Sequence, residues 1–483
     1  MNILDIAFVR AEADYKLDDV FNARKIVPNL ACDPAEAIVM HKFLLALCLA
    51  AVRPQTNADL AALTNASLAA QVSDYLQRNR ALFDLDGDKP FLQYPAARAA
   101  KLCPVAGLIP GMASGNRGVV RTTELMPNPT PADRVRALLF AVILPFAGKK
   151  TDATVWLMPG QKEKKKAFLA PALGMGGVVH SFVLGETLLD TLRLNLVSEE
   201  DLKGTEFTSG LGKPAWERMP LECDTAAEEL KTSYIGRLVP MLRFVLMEGE
   251  QLHITYGVQP ESTIAEPTAS VTTNAKGDRR MARMLSGAHW SAIASAYGYG
   301  LKEGETAVCR QLAWCLPRAR TDKAFAGCWI AGVRTSYNSG EQYFGSGDEM
   351  FAWRFAADGS EDALREKFAF MRKLSSAVYA SLSQLRQVIE APKLDSRIAI
   401  QSTPAKTFVS SRHDALMSEL TDDFGELLAV TGAETIKTFE MAMAQKARLG
   451  IHRLVEMAGT KCRMMVGRIE FNPHLLFVDS KGE

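Results

Sequence analysis

A glycine-rich turn beside a concentration of lysines is the part of this sequence whose residue types best suit a defined chemistry. The segment at 168–197, FLAPALGMGGVVHSFVLGETLLDTLRLNLV, contains three glycines whose backbone can take positive φ or approach a ligand closely: Gly174, Gly176 and Gly177. A loop just upstream holds six lysines and two acidic residues; the lysines are Lys149, Lys150, Lys162, Lys164, Lys165 and Lys166. A lysine run alone is more often a solvated loop. Glycines next to the lysine run favour the interpretation that the loop binds a polyanion such as nucleic acid.

Two further loops combine positive charge with flexible or polar residues. The stretch 260–283 is predicted to be a loop or hairpin with basic residues at its tip, namely Lys276, Arg279, Arg280 and Arg283. Its Ser, Thr and Asn residues could donate to phosphate oxygens, although an exposed hairpin tip without a ligand explains the pattern equally well. The second loop carries Arg117 and Arg121 among glycines that lack the spacing of a dinucleotide fingerprint.

Motifs for catalysis are missing from the sequence. None of the seven histidines has a metal-ligand spacing, and neither GxSxG nor a catalytic-cysteine context occurs. Asp84, Asp86 and Asp88 alternate as in a calcium loop, but the later glutamate is missing and Pro90 interrupts the run. The eight cysteines include no CxxC pair, which favours free thiols in a reducing compartment.

Length and composition indicate a folded protein of two or more domains. The chain has 483 residues, of which 48% are hydrophobic and 23% charged. Its 56 basic residues nearly balance 55 acidic ones, so any nucleic-acid contact must come from local patches. The first residues are acidic where a signal peptide needs a basic region, and no run of about 18 uncharged apolar residues appears. We therefore expect a soluble, cytoplasmic protein.

The periodicity of apolar residues divides the chain into two regions. Asp33 and Pro34 are typical of the start of a helix, which continues to Val52. The run from Val178 predicts a strand followed by a helix, and Trp329 to Val333 predict a second strand before a long loop. From about residue 360 the pattern is helical, with helices expected near 405–430, 433–448 and 450–469. The predicted class is α+β, with a mixed α/β domain at 1–359 and a helical domain at 360–483.

Several segments resemble one protein family in the same order along the chain. They are FLLALCLAAV, RNRALFDLDGDKPFLQ, ASGNRG, GETLLDTLRLNL, SYIGRLVPMLRFVL followed by HIT, IAGVRTSYNSGEQYF and SSRHDALMSEL. Together they resemble the large subunit of the type I-E CRISPR Cascade surveillance complex, the CasA family of Cas8-type proteins. The match covers most of the chain, which makes it more specific than any single segment.

This resemblance implies a non-enzymatic subunit whose C-terminal domain is a four-helix bundle. Its expected partners are crRNA, double-stranded target DNA, the other Cascade subunits and the helicase–nuclease effector, and neither a cofactor nor a metal is expected. The family recognises the protospacer-adjacent motif (PAM) on duplex DNA, starts strand separation and recruits the helicase–nuclease. Guide pairing reads the sequence, so the protein needs only a duplex reader, phosphate contacts and a wedge.

The resemblance also implies residues for each role. The loop that approaches the duplex corresponds to the segment from Phe146 through Gly148 and the lysines to Gly177. The wedge that opens the duplex falls within Arg334 to Gln342, where Asn338 and Ser339 are the best candidates. The loop that reaches crRNA and neighbouring subunits contains Ser114, Gly115, Asn116, Arg117 and Arg121. Lys276 and Arg279, with Arg280 beside them, are the basic candidates for reading the motif.

Two other functions remain open from the residues alone. A metal-dependent nuclease or hydrolase could use dispersed carboxylates such as Asp84, Asp86 and Asp88, because catalytic groups often come from distant positions. A scaffold that does not contact nucleic acid would leave the lysines at 162–166 without a role.

Overall fold

A computed structural model gives the fold, and it describes residues 1–108, 129–145, 151–152, 154–157, 178–221, 225–258, 266–282, 306–335, 343–344, 361–389, 403–430, 432–457 and 471. The chain divides into two compact units. The first unit comprises Met1–Val271, Arg280–Arg283 and Val308–Ala352, and the second comprises Thr272–Arg279, Met284–Ala307 and Trp353–Glu483. Helices and several small sheets occur together, which confirms the predicted α+β class. The domain boundary at 359/360 stays a prediction.

The helices that begin in the first unit are mostly short. They are α1 (Leu17–Val20), α2 (Pro34–Val52), α3 (Asn57–Ala62), α4 (Asn65–Arg78), α5 (Pro131–Ile143), α6 (Leu188–Leu194), α7 (Glu199–Leu202), α8 (Thr225–Thr232), α9 (Tyr234–Leu238) and α10 (Arg310–Ala319). Short 3₁₀ turns occupy Ile3–Asp5, Arg80–Phe83, Pro95–Ala99 and Val105–Leu108.

The strands of the described chain form four small sheets. They are β1 (Val9–Arg10), β2 (Asp14–Tyr15), β3 (Leu102–Pro104), β4 (Val178–Gly185), β5 (Arg243–Glu248), β6 (Gln251–Tyr256), β7 (Ser270–Thr273), β8 (Arg279–Met281), β9 (Thr306–Cys309), β10 (Phe325–Thr335) and β11 (Tyr343–Phe344). The strand orders are β1-β2, β11-β10-β4, β3-β6-β5 and β8-β7-β9. The strands predicted from Val178 and from Trp329 therefore pair with each other, since β4 and β10 are antiparallel neighbours.

Helix α2 is the core helix of the first unit. The Asp33 carboxylate accepts a hydrogen bond from the Ala35 amide at 3.0 Å, and Pro34 occupies the first helical position, as the sequence predicts. By length and composition alone the helix could cross a membrane, but nearly all of it is buried within the protein. That burial is typical of the central helix of a globular domain.

The predicted succession of strand and helix after residue 177 is confirmed. Every residue of β4 is buried, and a capping box joins Thr187 and Asp190 at the start of α6. Gly185 makes this tight junction possible, because a Cβ there would lie 2.3 Å from the Asp190 Cβ. The strand is thus covered on both faces and runs directly into the helix that follows it.

The second unit contains helices α11 (Glu361–Ile389), α12 (Thr403–Glu419), α13 (Thr421–Ala429) and α14 (Ala433–Met457). Apolar residues at helical spacing along α11 are buried, namely Leu364, Phe368, Met371, Leu374, Val378 and Leu382. The predicted break near residue 449 is wrong: α14 runs through it without interruption, and Gly450 is buried beside a methyl group of Leu416. The four-helix bundle implied by the resemblance stays a prediction.

Candidate nucleic-acid interface

Two segments predicted to meet DNA join the same edge of the β4–β10 pair. The glycine–lysine segment ends at Gly177 and the chain then enters β4 at Val178. Val178 pairs with Val333 of β10, and the next residue of β10 is Arg334. Because directly opposed residues of antiparallel strands have Cα atoms about 4.5–5.5 Å apart, the entrance to β4 and the start of the predicted wedge share one edge. Sequence alone could not show this pairing.

The predicted wedge lies on a hairpin connection. Arg334 pairs with Phe344, and Thr335 pairs with Tyr343, so residues 336–342 join the end of β10 to the start of β11. Arg334 therefore belongs to the regular ladder, one residue inside the closing pair. Asn338 and Ser339 lie outside the described residues, and their role as a wedge stays a prediction.

The second basic patch begins from a hairpin turn that is well ordered by hydrogen bonds. The Asn274 side-chain oxygen accepts from the amides of Lys276 and Asp278, each at 2.9 Å, and Gly277 takes φ +86°. Lys276 is exposed at the tip, as predicted, whereas Arg279 and Arg280, also predicted at the tip, are exposed on strand β8. The predicted hairpin is confirmed, and the role of its basic residues stays a prediction.

The returning strand of this hairpin is tied to β4 near the same edge. The Ala282 amide donates to the Ser270 carbonyl at 2.7 Å, and the Ala282 carbonyl accepts from the Val179 amide at 2.9 Å. Ala282 follows Arg280 by two residues. The backbone that carries Arg280 therefore reaches the second residue of β4, beside the entrance from Gly177.

A buried ionic cluster supports this part of β4. We call it the Glu266 clamp and define it as Lys42, Glu266, Thr268 and His180. The Lys42 ammonium contacts one Glu266 oxygen, and both side chains are almost completely buried. The other oxygen accepts from the Thr268 hydroxyl at 2.9 Å and lies 3.4 Å from His180 Nδ1.

Electrostatics keep the Glu266 carboxylate charged, whereas burial lowers the pKa of Lys42, an effect that Glu266 opposes. Burial alone would raise the pKa of the Glu266 carboxyl, but Lys42 and His180 lower it well below its usual range, so the carboxylate is ionised. Next to Lys42, burial lowers the pKa of His41 to about 3, so this ring is neutral at physiological pH. The neutral ring stacks on Phe182 with centroids 3.7 Å apart, and Phe182 stacks in turn on Trp329 of β10.

The predicted crRNA loop precedes α5 in the chain. Ser114, Gly115, Asn116, Arg117 and Arg121 lie outside the described residues. The start of α5 is anchored by a capping box between the Thr130 and Asp133 side chains. One turn later the buried Arg136 guanidinium contacts Asp14 at 2.6 Å and Glu36 at 3.3 Å.

The remaining predicted DNA-binding residues of the glycine–lysine segment lie outside the described part of the chain. They are Gly148, Lys149, Lys150, Lys162, Lys164, Lys165, Lys166, Gly174, Gly176 and Gly177. Their contact with DNA stays a prediction that rests on residue type and on their position before β4.

Two of the three acidic residues of the nuclease alternative contact neighbouring groups of the protein. Asp84 accepts from the Asn2 side-chain amide at 2.8 Å, and Asp86 pairs with the Met1 ammonium at 2.8 Å. Asp88 is exposed. In the described part of the chain, no group of three or more His, Cys, Asp or Glu side chains is arranged to hold a metal ion.

Sequence reasoning missed the clamp. Its only local signal was a charged residue, Lys42, in the middle of a helix that is otherwise nearly all apolar. Such a lysine needs an anion when buried, but nothing in the sequence identifies Glu266 as the partner, 224 positions away.

Comparisons with known proteins agree with this architecture. The model of the family "CRISPR-associated protein Cse1" matches residues 6–456. The solved CasA (Cse1) of Thermus thermophilus is 18% identical, with a TM-score of 0.69 over 99% of this chain and 98% of the other. Cse1 of Thermobifida fusca is 15% identical, with a TM-score of 0.68 over 99% and 96% of the two chains. A chain of a solved "CRISPR RNA-guided surveillance complex" is 17% identical, with a TM-score of 0.69 over 99% of both.

The comparison with curated proteins gave no match. The fold and the family match together define a CRISPR-associated protein. More specifically, because the family model spans most of the sequence, the chain belongs to the Cse1 family.

Proposed function

We propose that this protein is the large subunit of a crRNA-guided type I-E CRISPR surveillance (Cascade) complex in the cytoplasm. In this role it binds crRNA and neighbouring subunits, recognises the PAM on double-stranded target DNA and promotes local unwinding for R-loop formation. It also helps to recruit the helicase–nuclease that degrades the target, and it performs no catalytic step itself. Membership of the Cse1 family and similarity to a chain of a surveillance complex support the proposal.

The observation that carries the DNA-binding part is the register of β4 and β10. It gives the glycine–lysine segment and the wedge segment a common edge, because Gly177 precedes Val178 and Val178 pairs with Val333. A duplex reader needs phosphate contacts close to the element that separates the strands, since unstacking a base step costs a few kcal/mol that nearby contacts must supply.

The test is duplex binding by the assembled complex. The full chain is combined with crRNA and the partner subunits, and binding to target duplexes with randomised flanking motifs is measured at several salt concentrations. Replacing Lys162, Lys164, Lys165 and Lys166 with glutamine is expected to weaken binding at least tenfold. It should also flatten the dependence of log K on log salt by about 0.9 for each phosphate that the variant no longer neutralises.

A matched control replaces four exposed lysines outside the predicted segments with glutamine: Lys89, Lys203, Lys213 and Lys323. Binding within about twofold of the unmodified complex is expected. Equal losses of affinity in both variants would show that the loss reflects the total positive charge of the protein and not the predicted segment. Unchanged affinity in both variants would favour a scaffold that does not contact nucleic acid. Cleavage of DNA by the isolated chain with Mg²⁺ or Mn²⁺, abolished by Asp84→Asn, Asp86→Asn and Asp88→Asn together, would favour the nuclease alternative.

A further inference from the structure

The Glu266 clamp is chemically unusual for the interior of a sheet. Lys42 and Glu266 are almost completely buried, as is His180. Taking two charges out of water costs several kcal/mol per ion, and apolar residues of similar size often give an equally stable or more stable protein. A buried ion pair is therefore weak support for stability, and its best-attested role is to select one arrangement among similar ones.

The clamp lies where the arrangement of the candidate interface is decided. Glu266 begins a segment that runs beside β4, where the Ser181 amide donates to the Thr268 carbonyl at 2.8 Å and His180 bridges to Ala269. The same segment continues into β7, whose Ser270 carbonyl accepts from the Ala282 amide. Any shift of Glu266 along β4 would carry the Arg280 backbone with it.

Register is the property that such a clamp can enforce. A shift of one residue along a strand moves each side chain to the opposite face. The Glu266 carboxylate resists this shift, because its two oxygens meet groups on different elements. One oxygen meets Lys42 of α2, and the other meets Thr268 and the ring of His180 on β4.

The members of the clamp contact one another as well as Glu266. The His180 Nδ1 atom lies 2.9 Å from the Thr268 hydroxyl, which itself donates to Glu266. The residue that pairs with His180 on β10 is the small Ala331, which leaves room for the ring. The ion pair therefore fixes a side chain of β4 as well as the segment 266–270.

We infer that Lys42, Glu266 and His180 are positioning residues for duplex DNA, which hold the segment 266–270 in one register on β4 and thereby orient the Arg280 strand toward the edge where Val178 of β4 pairs with Val333 of β10. None of the three contacts the duplex. The inference rests on the proposed function and adds to it the residues that organise the binding edge from inside the first unit.

The main test replaces the ion pair by neutral residues in the complete crRNA-containing complex. The double substitution Lys42→Met with Glu266→Gln leaves no uncompensated charge and keeps an acceptor for the Thr268 amide. We expect unchanged incorporation into the complex but at least a tenfold reduction of affinity for target duplex. The slope of log K against log salt should fall by about 0.9 for each phosphate that the displaced strand no longer neutralises.

The slope of log K against log salt distinguishes a misplaced Arg280 strand from a general loss of stability. A purely structural role would reduce the fraction of active molecules, and the surviving molecules would keep the original slope. Hydrogen exchange gives a second readout before DNA is added: the amides of Ser181 and Ala282 should exchange faster, whereas the Leu382 amide of the second unit should not change. The matched control is Arg218→Met with Glu229→Gln, an ion pair on the surface of the first unit, for which no change is expected.

A second variant serves if the double substitution fails to fold. Thr268→Val removes a hydroxyl that touches Glu266 and His180 but changes neither charge nor shape appreciably, and a smaller reduction of affinity with the same change of slope is expected. Duplex affinity and slope equal to those of the unmodified complex in a folded clamp variant would overturn the inference. If the four-lysine variant loses duplex binding while the clamp variants keep it, this inference is wrong and the proposed function stands. If the unmodified complex does not bind duplex DNA, the proposed function is wrong as well.

Discussion

The sheet around β4 buries ionised groups, whereas the helices from Glu361 to Met457 bury mainly an apolar seam. Lys42 in the first unit is paired with a carboxylate from a distant segment. Lys367 in the second unit is also buried, but its ammonium donates to the carbonyls of Leu428 at 3.2 Å and Val430 at 2.6 Å, at the end of α13. A cation at a helix C-terminus is satisfied by backbone groups that any helix offers.

This difference shows which interactions select a single arrangement in the helical unit and which do so around β4. In the helical unit, the spacing of apolar residues along α11 already determines which face is buried, and Phe368 meets Phe424 with ring centroids 5.1 Å apart. In the first unit, β4 and β10 come from segments more than a hundred residues apart, and both faces of β4 are buried. A specific polar contact is then needed to select the register.

The largest expected effect comes from breaking the clamp on one side. Glu266→Gln leaves the Lys42 ammonium buried without an anion and should lower the free energy of unfolding of the first unit by about 3–5 kcal/mol. Urea denaturation measures the decrease. The Lys42→Met and Glu266→Gln double variant should recover most of it, and equal decreases in the single and double variants would contradict the role of the charge.

A comparable change in the helical unit should act through packing alone. Phe368→Ala removes a completely buried ring that packs on Phe424, and we expect the second unit to be less stable by about 3 kcal/mol. Hydrogen exchange at the α11 amides measures the local stability. Phe368→Leu is the control and should cost much less, since most of the volume remains. A destabilisation that depends strongly on salt would speak against an apolar seam.

The helical unit also contains one acidic group whose stability contribution depends on pH. Burial, reinforced by Glu366, raises the pKa of Glu440 in α14 to about 7, against 4.5 for an ordinary glutamate. The folded state therefore binds this proton more tightly than the unfolded state. The resulting contribution of Glu440 to the free energy of unfolding is complete below pH 4.5 and is lost as the pH rises through 7.

Glu440→Gln removes this dependence and sharpens the comparison of the two units. The variant should exceed the unmodified protein in stability by about 1–2 kcal/mol at about pH 8, because the neutral amide avoids placing a charge in the buried site. At about pH 4 the two proteins should be nearly equal. Thermal unfolding across this range measures the effect, and a constant difference at every pH would exclude Glu440 as its source.

The smallest effect is expected from a purely local signal. Thr130→Ala removes the side chain that caps α5 and should cost about 1 kcal/mol, because one helix N–H loses its partner. Thr56→Ala is the matched control at α3, which has the same kind of capping box but no buried residues. This substitution should lower the free energy of unfolding by less. Denaturation of both variants tests whether the cap anchors the end of the predicted crRNA loop.

Much of the secondary structure could be predicted because its signals are local. Asp33 with Pro34 marked the start of α2, and Gly185 at the end of β4 with Thr187 marked the start of α6. The break expected at residue 449 was wrong, because α14 continues to Met457 and Gly450 lies inside it, buried beside Leu416. Propensity describes one residue at a time, whereas packing depends on the neighbour that it meets.

By itself, the sequence determined the α+β class, the main helices, the resemblance to CasA and the residue types expected to meet phosphate. Only the tertiary structure decided that β4 pairs with β10, that the segments ending at Gly177 and starting at Arg334 share an edge, and that Lys42 meets Glu266. The physical reason is that helix caps and apolar periodicity act within a few residues, while strand register and buried charge pairs depend on chain segments that are brought together only by folding.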